Sequence, residues 1–351
     1  MNYLNEIFAK KEFQKLGFGK YFCDSVFVQY YSPDKGWHNG NILNKRHLSV
    51  DLACQVLHSG SDIFEGLKAY YNPNGGFNFF RIKDNLNRFN LSAERMGMPK
   101  IDINTHKLII ERLVNKEISY IPNKIGCSMY IRPVMFGSEP TLQVRASSEF
   151  IHFVLLSPVG PYFGNELNCI SIYVEQENIR AAHGGTGNVK TTANYAQSIQ
   201  TSEKVFKLGF DQVLWLDAIH KKYIEELSGM NIMFLYEDKT LKTPTLTGTI
   251  LPGITRDSIM TLSKSLDYNV IEDQLDINQI LNDINSNKII EAFAVGTGAV
   301  VAPIGKLFYK DSEYIINNQK VGENAQQIFN QLINLQHGII EEDNGWLTNI
   351  K

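Results

Sequence analysis

The sequence predicts an α+β protein of two domains, and three observations support this prediction. The chain has 351 residues, and single cores rarely grow past roughly 250–300 residues before a chain divides. Predicted strands and helices follow one another irregularly, which favours α+β domains over a doubly wound parallel sheet. No predicted strand leads into a glycine-rich dinucleotide fingerprint or a P-loop, so dinucleotide and P-loop chemistry lose support.

Runs of β-branched and aromatic residues predict the strands of the first half of the chain. These strands are residues 26–31, 77–82, 128–136 and 150–159. Residues 84–98 predict a helix, because Leu86, Phe89 and Ala93 recur at steps of three or four. Asp84 is the expected N-cap of this helix.

The second half of the chain continues the strand-rich pattern. Strands are predicted at 169–174, 212–217, 231–236 and 289–297, and helices at 193–209 and 255–266. Pro158 and Pro161 mark a connection between domains. We therefore expect a small N-terminal α/β domain at 1–160, a connection at 161–168 and a larger strand-rich C-terminal domain at 169–351.

Composition excludes several classes of function. The net charge is -3, with 34 basic and 37 acidic residues, so no basic surplus is available to bind nucleic acid. No apolar run approaches the ~20 residues of a membrane span, and the N-terminus lacks the pattern of a signal peptide. The cysteines lie far apart at positions 23, 54, 127 and 169. This spacing predicts reduced thiols in a cytoplasmic protein and no metal site.

Lys190 is the first candidate for chemistry. It follows glycines at 184, 185 and 187, and glycine allows a backbone to turn tightly and approach a ligand. A lysine that forms a Schiff base must reach a buried carbonyl group and lose its proton easily. An exposed loop lysine is the commoner outcome of such a pattern, so the local sequence leaves both interpretations open.

Three other stretches could bind a charged ligand. Glu225 and Glu226 precede an apolar strand, where a carboxylate could hold a pyridinium N–H or form a solvated acidic pair. Residues 251–256 open a predicted helix, so its N–H groups and Thr255 could bind an anion or form a plain N-cap. Residues 296–299 follow a strand and could form an anion-binding nest or a plain turn.

Two arginines are further candidates. Arg88 lies on the helix after residues 77–82 and could contact an anion or simply face solvent. Tyr130 and Arg132 alternate along a predicted strand, which puts them on one face. Arg132 could therefore bind a substrate carboxylate with both guanidinium arms or form an ion pair at the sheet edge.

Together and in this order, these features resemble one family. The sequence is similar to the branched-chain amino acid aminotransferases, of the fold-type IV pyridoxal-phosphate class. The resemblance covers nearly the whole chain, and its joint order is specific although each motif alone is weak. The matching residues are 64–70, 80–81 with 85–88, 130–133, 137–140, 187–190 with 194–195, 251–256, 296–298 and 345–346.

The resemblance implies a role for each candidate residue. The cofactor would be pyridoxal 5'-phosphate, with its internal aldimine on Lys190, its pyridine nitrogen on Glu226 and support from Tyr195. The residues expected to hold the phosphate are Arg88, Ile254, Thr255 and Thr297. The residues expected to border the substrate are Phe64, Tyr130, Arg132, Gly298 and Ala299.

The resemblance also implies a reaction and a partner. The amino group of L-leucine, L-isoleucine or L-valine would pass to 2-oxoglutarate, giving a branched 2-oxo acid and L-glutamate. A homodimer is implied, in which residues 137–144 contribute to the active site of the other subunit. Ser59 stands where many relatives of the eukaryotic-like branch have a tyrosine in the side-chain pocket. The chain also lacks the CxxC pair of a thiol switch.

Other functions remain open from the sequence. A D-amino acid aminotransferase or an aminodeoxychorismate lyase would share the fold, although both tend to be shorter and lack the combination of residues 64–70 with 130–133 seen here. A catalytically silent homologue that only binds a ligand is the alternative from a different class. The retained Lys190 and Glu226 argue against it.

Overall fold

The chain forms two compact units in the computed structural model, which describes residues 2–44, 46–162 and 167–351. The first unit comprises residues 1–164, 189–192 and 333–351, and the second comprises 165–188 and 193–332. Each unit combines one sheet with helices, which confirms the α+β prediction. The domain boundaries expected from the sequence stay a prediction, and residues 163–166 of the expected connection lie outside the described residues.

An antiparallel sheet forms the centre of the first unit. Its strand order is β17-β5-β4-β6-β7-β1-β2, with β3 beside β6. The strands, numbered in chain order, are β1 Val26–Ser32, β2 Gly36–Leu43, β3 Asp62–Phe64, β4 Leu67–Tyr71, β5 Phe77–Phe80, β6 Ser128–Gly137, β7 Phe150–Val159 and β17 Leu347–Ile350. The last strand of the chain thus lies at one edge of the first sheet.

Helices α3 and α4 cover one face of this sheet with apolar side chains. The helices of the first unit are α1 Asn2–Lys10, α2 Val56–Ser59, α3 Ile82–Arg95 and α4 Ile103–Lys116. Leu86 of α3 and Leu113 of α4 are fully buried in a cluster with Leu67 and Ile131 of the sheet. Burial of such side chains supplies the main stabilisation of the unit, roughly 1.5–3 kcal/mol each.

The prediction that Asp84 is the N-cap of the helix after residues 77–82 is wrong. The helix begins at Ile82, so Asp84 lies in its first turn. Arg81 is the N-cap residue, and the Asp84 carboxylate accepts a hydrogen bond from Arg81 Nε at 2.6 Å. The negative charge of an acidic residue in the first turn still interacts favourably with the positive end of the helix dipole. Asp84 therefore favours the start of the helix through its charge.

Two buried histidines, His106 on α4 and His152 on β7, pack against each other. The rings of His106 and His152 lie 4.7 Å apart and perpendicular. His152 Nδ1 is 3.2 Å from the Gln29 amide. Within the described residues, both nitrogens of His106 lack a hydrogen-bond partner. Burial lowers the pKa of His106 to about 3. The pKa of His152 is well below its usual range because of burial and the neighbouring His106.

This histidine pair predicts a loss of stability in mild acid. The unfolded chain binds protons that the folded chain excludes, so the free energy of unfolding falls as the pH drops from about 6.5 towards 3. Each buried neutral imidazole contributes a loss of about 1.4 kcal/mol per pH unit in that window. We expect His106→Leu to reduce the pH dependence of urea unfolding by about one proton. Replacing the exposed His47 by leucine is the control, and an unchanged slope for His106→Leu would contradict the prediction.

The second unit is built on a mixed sheet. The strand order is β10-β9-β8-β15-β14-β11-β12-β13, with β16 beside β15, and the pairs β8–β9, β8–β15 and β12–β13 are parallel. The strands are β8 Ile170–Val174, β9 Gln212–Leu216, β10 Ile224–Leu227, β11 Asn231–Tyr236, β12 Thr240–Pro244, β13 Asn269–Asp273, β14 Ile289–Gly296, β15 Val300–Tyr309 and β16 Ser312–Ile315.

The helix predicted at 193–209 is in fact two helices. The helices that begin in the second unit are α5 Ala193–Ala196, α6 Ile199–Lys207, α7 Ile254–Ser265, α8 Ile277–Asn285 and α9 Glu323–Gln336. Ser198 breaks the predicted helix, because its hydroxyl donates to the Tyr195 carbonyl oxygen at 2.8 Å and so competes with backbone pairing. No helix in the described part of the chain is long and apolar enough to cross a membrane.

Candidate active site

Lys190 lies in a segment, 189–192, that belongs to the first unit. Its backbone N–H donates to the hydroxyl of Ser92 on α3 at 3.0 Å, and its carbonyl oxygen accepts from the backbone N–H of Phe64 at 2.9 Å. The side chain is half-buried, with Nζ 5.0 Å from the centre of the Phe64 ring. The backbone of Lys190 is therefore fixed on both sides, which orients its amine.

The residues after Lys190 are held as firmly. The Thr191 hydroxyl lies 3.3 Å from Asp62 Oδ1, and the Thr192 backbone N–H and hydroxyl donate to the two oxygens of the same carboxylate at 3.0 and 2.6 Å. Asp62 and Ser92 were not anticipated from the sequence, since an aspartate at a strand start and a serine within a helix are common. Their positions fix the lysine segment on the first unit.

Arg88 is buried on α3 and binds Glu65. Arg88 Nε lies 2.9 Å from Glu65 Oε2, and Nη2 lies 2.6 Å from Oε1. Glu65 is fully buried, and its Oε1 also accepts from the backbone N–H of Gly66 at 2.7 Å. The surface-arginine interpretation is therefore wrong, because Arg88 is held in a two-armed ion pair that fixes its orientation.

Phe64, Tyr130 and Arg132 form one cluster in the first unit. The Arg132 guanidinium lies 4.6 Å from the centre of the Phe64 ring, and Arg132 Nη2 donates to the Tyr130 hydroxyl at 2.9 Å. The expected common face of Tyr130 and Arg132 is thus confirmed. Gly66 lies directly behind Tyr130, because a Cβ atom on this glycine would overlap the Tyr130 hydroxyl and lie 2.8 Å from Tyr130 Cζ.

Glu226 is buried in the second unit among three donors. Arg180 Nη1 lies 3.1 Å from its Oε1. The Asn231 amide and the Leu251 backbone N–H donate to its Oε2 at 3.0 and 3.2 Å. A buried carboxylate with a cation and two N–H donors is stabilised as the anion. The interpretation of Glu225 and Glu226 as a solvated acidic pair is therefore wrong.

Asn231 connects the predicted features of the second unit. Besides Glu226, its amide donates to the Leu251 carbonyl oxygen at 3.1 Å. Gly253 lies so close that a Cβ atom there would overlap Asn231 Oδ1. Asn231 also pairs with Val295 in the sheet, next to the turn at 296–299. The sequence assigned no role to Asn231, although it begins the strand predicted at 231–236, or to Arg180, which lies ten residues before Lys190.

The first turn of α7 offers backbone donors. Ile254 is the first residue of this helix and Gly253 is its N-cap, so the N–H groups of the first turn point out of the end of the helix. Thr255 is buried beside them. Arg256 turns away, since its Nη2 donates to Glu272 at 2.6 Å and to the Pro244 carbonyl oxygen at 2.8 Å. The helix start suits an anion, while Arg256 is structural.

Thr297, Gly298 and Ala299 form the turn between β14 and β15. Gly296 precedes this turn, and a Cβ atom added to this glycine would lie 3.1 Å from Met230 Cγ. Ala299 is buried, whereas Thr297 and Gly298 are half-buried. The structure thus brings this turn close to the Met230–Asn231 corner.

Tyr195 lies on the short helix α5 and is half-buried. The preceding Asn194 exchanges two hydrogen bonds with Thr186, both of 2.7 Å. Gly187 allows this close passage, because a Cβ atom there would overlap the Thr249 carbonyl oxygen and Ala181. The loop that leads to Tyr195 is therefore fixed at its base within the second unit.

Ser59 and the segment 137–144 lie in the first unit. The Ser59 hydroxyl is exposed and donates to the Gln55 carbonyl oxygen at 3.0 Å. The segment 137–144 pairs with residues 53–55 through two backbone hydrogen bonds of 3.0 Å. The Gln55 N–H donates to the Glu139 carbonyl oxygen, and the Thr141 N–H donates to the Ala53 carbonyl oxygen. The segment is thus anchored as an ordered loop.

The structure gathers the candidate residues into two sets, one in each unit. The first set has an amine, an arginine in an ion pair and an aromatic–arginine cluster. The second set has a buried carboxylate, a helix start and a turn with backbone N–H groups. The amine suits an aldehyde carbon. The carboxylate suits a pyridinium nitrogen, and the helix start suits a phosphate.

The sequence and fold of this chain are similar to those of known aminotransferases. The family model described as amino-transferase class IV matches residues 62–307. The chain is 42% identical to the probable branched-chain-amino-acid aminotransferase of Staphylococcus aureus (strain N315), covering 96% of this chain and 94% of that protein. It is 40% identical to branched-chain-amino-acid aminotransferase 2 of Bacillus subtilis (strain 168), covering 97% of this chain and 94% of that protein.

A solved structure extends the likeness to the fold. The branched-chain amino acid aminotransferase from Thermobaculum terrenum, in its PLP form, matches with a TM-score of 0.77 at 21% identity, covering 93% of this chain and 98% of that chain. This likeness confirms the fold expected from the sequence. From the family model and the relatives, the chain belongs to the class IV aminotransferases and, within them, to the branched-chain-amino-acid aminotransferases.

Proposed function

We propose that the protein is a pyridoxal-phosphate-dependent transaminase that moves the amino group of L-leucine, L-isoleucine or L-valine to 2-oxoglutarate. The observation that carries the proposal is the buried Glu226 carboxylate with its fixed donors Arg180, Asn231 and Leu251. Such an anion is suited to a protonated ring nitrogen. The membership in the branched-chain-amino-acid aminotransferases supports the same reaction.

The residues present fit the cofactor. Gly253 lacks the Cβ atom that would overlap Asn231 Oδ1, so Asn231 can hold both Glu226 and the Leu251 carbonyl oxygen. The start of α7 supplies N–H groups for a phosphate. We propose that Ile254, Thr255 and Thr297 hold this phosphate, and that Tyr195 supports the ring. When bound, the cofactor supplies an aldehyde that takes up amino groups and a ring that accepts negative charge from the α-carbon.

Lys190 is proposed to hold the cofactor covalently at rest and to move the proton afterwards. With a substrate amino acid bound, the Nζ amine would accept the α-proton of the substrate. The same Nζ then returns the proton as an acid. The Ser92 and Phe64 hydrogen bonds keep the Lys190 backbone in place during both steps.

Glu226 is proposed to keep the ring nitrogen protonated. Its Oε1 is bound to Arg180 and its Oε2 to Asn231 and Leu251, so the carboxylate cannot rotate away without breaking several hydrogen bonds. A buried, fixed anion needs little reorganisation when charge develops on the ring. Arg88 is proposed to act on the phosphate, from the position that Glu65 fixes.

The aromatic–arginine cluster is proposed to border the substrate, with the Gly298 and Ala299 backbone. Arg132 and Tyr130 offer donors for a carboxylate, and Phe64 offers an apolar surface. An apolar pocket discriminates one methylene by only about 1–3 kcal/mol. We therefore expect overlapping use of leucine, isoleucine and valine.

Gly66→Ala should weaken substrate binding through Tyr130. The added methyl group would displace the Tyr130 ring, which is buried, and such overpacking costs about 1–3 kcal/mol. We expect KM for leucine to rise about tenfold, measured under steady-state conditions with the folded state checked by thermal unfolding. Adding Tyr130→Phe should recover part of the lost stability by removing the hydroxyl. No recovery in the double variant would contradict this account.

A substrate panel tests the proposed function. The purified protein with added pyridoxal phosphate should transfer the amino group of L-leucine, L-isoleucine and L-valine to 2-oxoglutarate. D-alanine and aminodeoxychorismate should give turnover at least about a hundredfold lower, since neither is an L-α-amino acid with a branched aliphatic side chain. Preferential use of D-alanine or aminodeoxychorismate would reject the proposal. A protein that stays colourless with added cofactor would indicate a silent homologue.

We further propose a homodimer that uses the segment 137–144. Leu142 and Val144 are 72% and 98% exposed, and the adjoining Leu52 is 86% exposed. Apolar side chains that cluster on a surface mark an interaction site more often than single ones do. Sedimentation should give twice the mass of the chain. Val144→Asp should shift the protein towards monomer, and a monomeric unaltered protein would contradict the proposal.

We propose a cytoplasmic location because the cysteine thiols form no disulfide bonds with one another. Cys23, Cys54 and Cys127 are buried and Cys169 is partly buried, and all four are free. Burial raises the pKa of Cys127 to about 11, so this thiol resists oxidation. Fractionation of cells that produce the protein would test the location.

A further inference from the structure

The segment 189–192, which carries Lys190, lies in no helix or strand. Its backbone groups therefore need partners outside a regular ladder. Strand β3 supplies two of them. The Phe64 N–H donates to the Lys190 carbonyl oxygen at 2.9 Å, and the Asp62 carboxylate accepts from the Thr192 N–H at 3.0 Å. Asp62 thus provides a side-chain acceptor where a paired strand would provide a backbone oxygen.

The Asp62 carboxylate binds the segment with both of its oxygens. Oδ1 accepts from the Thr192 N–H and lies 3.3 Å from the Thr191 hydroxyl, and Oδ2 accepts from the Thr192 hydroxyl at 2.6 Å. Two parallel bonds to one carboxylate fix the direction of a group as well as its distance. Asp62 therefore restrains the orientation of the backbone two residues after Lys190.

Strand β3, which carries Asp62, is itself fixed. It pairs antiparallel with β6. Alternation along the strand puts Asp62 and Phe64 on one face and Ile63 on the other. Ile63 is fully buried in a cluster with Phe89 and Ala93 of α3. Because close-packed interiors do not deform easily, Asp62 projects from a rigid support.

Helix α3 holds the same segment at another backbone group. Ser92 is fully buried on α3, and its hydroxyl accepts from the Lys190 N–H at 3.0 Å. Ser92 is the neighbour of Ala93, which packs in the cluster with Ile63 of β3. Two elements that pack on each other therefore hold the N–H and the carbonyl oxygen of Lys190, and Asp62 holds the residues that follow.

The position of the Lys190 amine depends on this support. A lysine amine lies at the end of a flexible four-carbon chain, so its reach is set by the backbone and by the groups beside the chain. Nζ lies 5.0 Å from the centre of the Phe64 ring, which shares a face of β3 with Asp62. A group that transfers a proton must come within about 2.6–3.2 Å of it, and a misplacement of about 1 Å can cost roughly 10²-fold in rate.

We propose that Asp62 is a positioning residue for the transfer of the α-proton, because its hydrogen bonds to Thr191 and Thr192 keep the Lys190 amine in place. The inference rests on the proposed function. Asp62 lies outside the residues proposed to bind the cofactor or the substrate, and it acts through the segment 189–192.

Asp62→Ala should slow the chemical step. The single-turnover rate with L-leucine, expressed per bound cofactor, should fall about 10–100-fold, while the apparent affinity for leucine should change by less than about threefold. Dividing by bound cofactor removes the contribution of any protein that fails to fold, and thermal unfolding reports that fraction. Asp62→Asn keeps one oxygen for the Thr192 N–H and should give a rate between those of Asp62→Ala and the unaltered protein.

A double-mutant cycle tests whether Asp62 acts through Thr192. Thr192→Val keeps the shape of the side chain but removes the hydroxyl that donates to Asp62, and it should lower the single-turnover rate several-fold. In the Asp62→Ala background the same change should have little further effect, because its partner is already absent. Asp34→Ala, in the exposed turn between β1 and β2, is the matched control and should leave the rate unchanged.

Hydrogen exchange gives a measurement that is independent of turnover. In the cofactor-free protein, the backbone N–H of Thr192 should exchange at least about tenfold faster in Asp62→Ala than in the unaltered protein, and Asp34→Ala should show no change there. Faster exchange with a normal single-turnover rate would make Asp62 merely structural and overturn the proposal. Independent effects of Asp62→Ala and Thr192→Val would overturn it as well. An unaltered protein without transaminase activity would reject the proposed function, whereas unchanged exchange in Asp62→Ala would reject the role of Asp62 alone.

Discussion

Lys190→Ala is expected to abolish transamination, with a fall in kcat of roughly 10⁴-fold or more, because both covalent attachment and proton transfer depend on its amine. The Ser92 and Phe64 hydrogen bonds to Lys190 involve backbone atoms, so the alanine variant should keep the fold of this segment. The visible absorbance of the lysine-bound cofactor should disappear, although free cofactor can still bind through the phosphate contacts.

Borohydride reduction followed by peptide mass mapping gives the decisive measurement for this variant. In the unaltered protein the reduced cofactor should be found on the peptide that contains Lys190. Lys207→Ala, at an exposed position on α6, is the matched control and should keep activity and absorbance. If Lys190→Ala still formed a reducible adduct on another lysine with normal turnover, the assignment of Lys190 would be wrong.

Glu226→Gln is expected to retain the cofactor and to lower kcat by about 10²–10³-fold, the usual effect of removing one fixed electrostatic group. The amide keeps the shape of the side chain but cannot stabilise a protonated ring nitrogen. It would also leave Arg180 buried without its carboxylate, which adds a cost in stability. Single-turnover rates with leucine, together with cofactor content, separate the two effects.

The control for Glu226→Gln is Glu237→Gln, which changes an exposed carboxylate. Its single-turnover rate should match that of the unaltered protein. A second check is Arg180→Lys, which should lower the rate less than Glu226→Gln because a cation remains near Oε1. Near-normal single-turnover chemistry in Glu226→Gln would remove Glu226 from the proposed mechanism.

Patterns in the sequence predicted the main strands because buried strands carry dense β-branched and aromatic residues. β15 was missed although it is ten residues long and mostly buried, because Pro303 and Gly305 interrupt its apolar run. Strands that are polar or short were missed as well. β2 contains Trp37 and His38 among glycines and asparagines, and all of its residues are exposed or half-buried, so no alternation marks it. Ser198 broke a predicted helix by a local side-chain hydrogen bond, an effect that apolar periodicity does not register.

The candidate site was predictable as a set of motifs but not as a network. Glu226 and Lys190 stood out only by their joint order along the chain. Arg180 and Asn231, which hold Glu226, carry no pattern of their own, because a hydrogen bond between residues far apart in sequence leaves no spacing to detect. The Arg88–Glu65 pair is a similar case, since 23 positions separate its members.

The position of β17 has a consequence for synthesis of the protein on the ribosome. Leu347–Ile350 pairs with Phe77–Phe80 at the edge of the first sheet, and the Arg81 backbone N–H donates to the Trp346 carbonyl oxygen at 2.7 Å. The sheet edge at β5 therefore stays open until residues 347–350 have been synthesised. An exposed edge strand can pair with other chains. The nascent protein thus carries an aggregation-prone edge from the synthesis of β5 until residues 347–350 are available to pair with it.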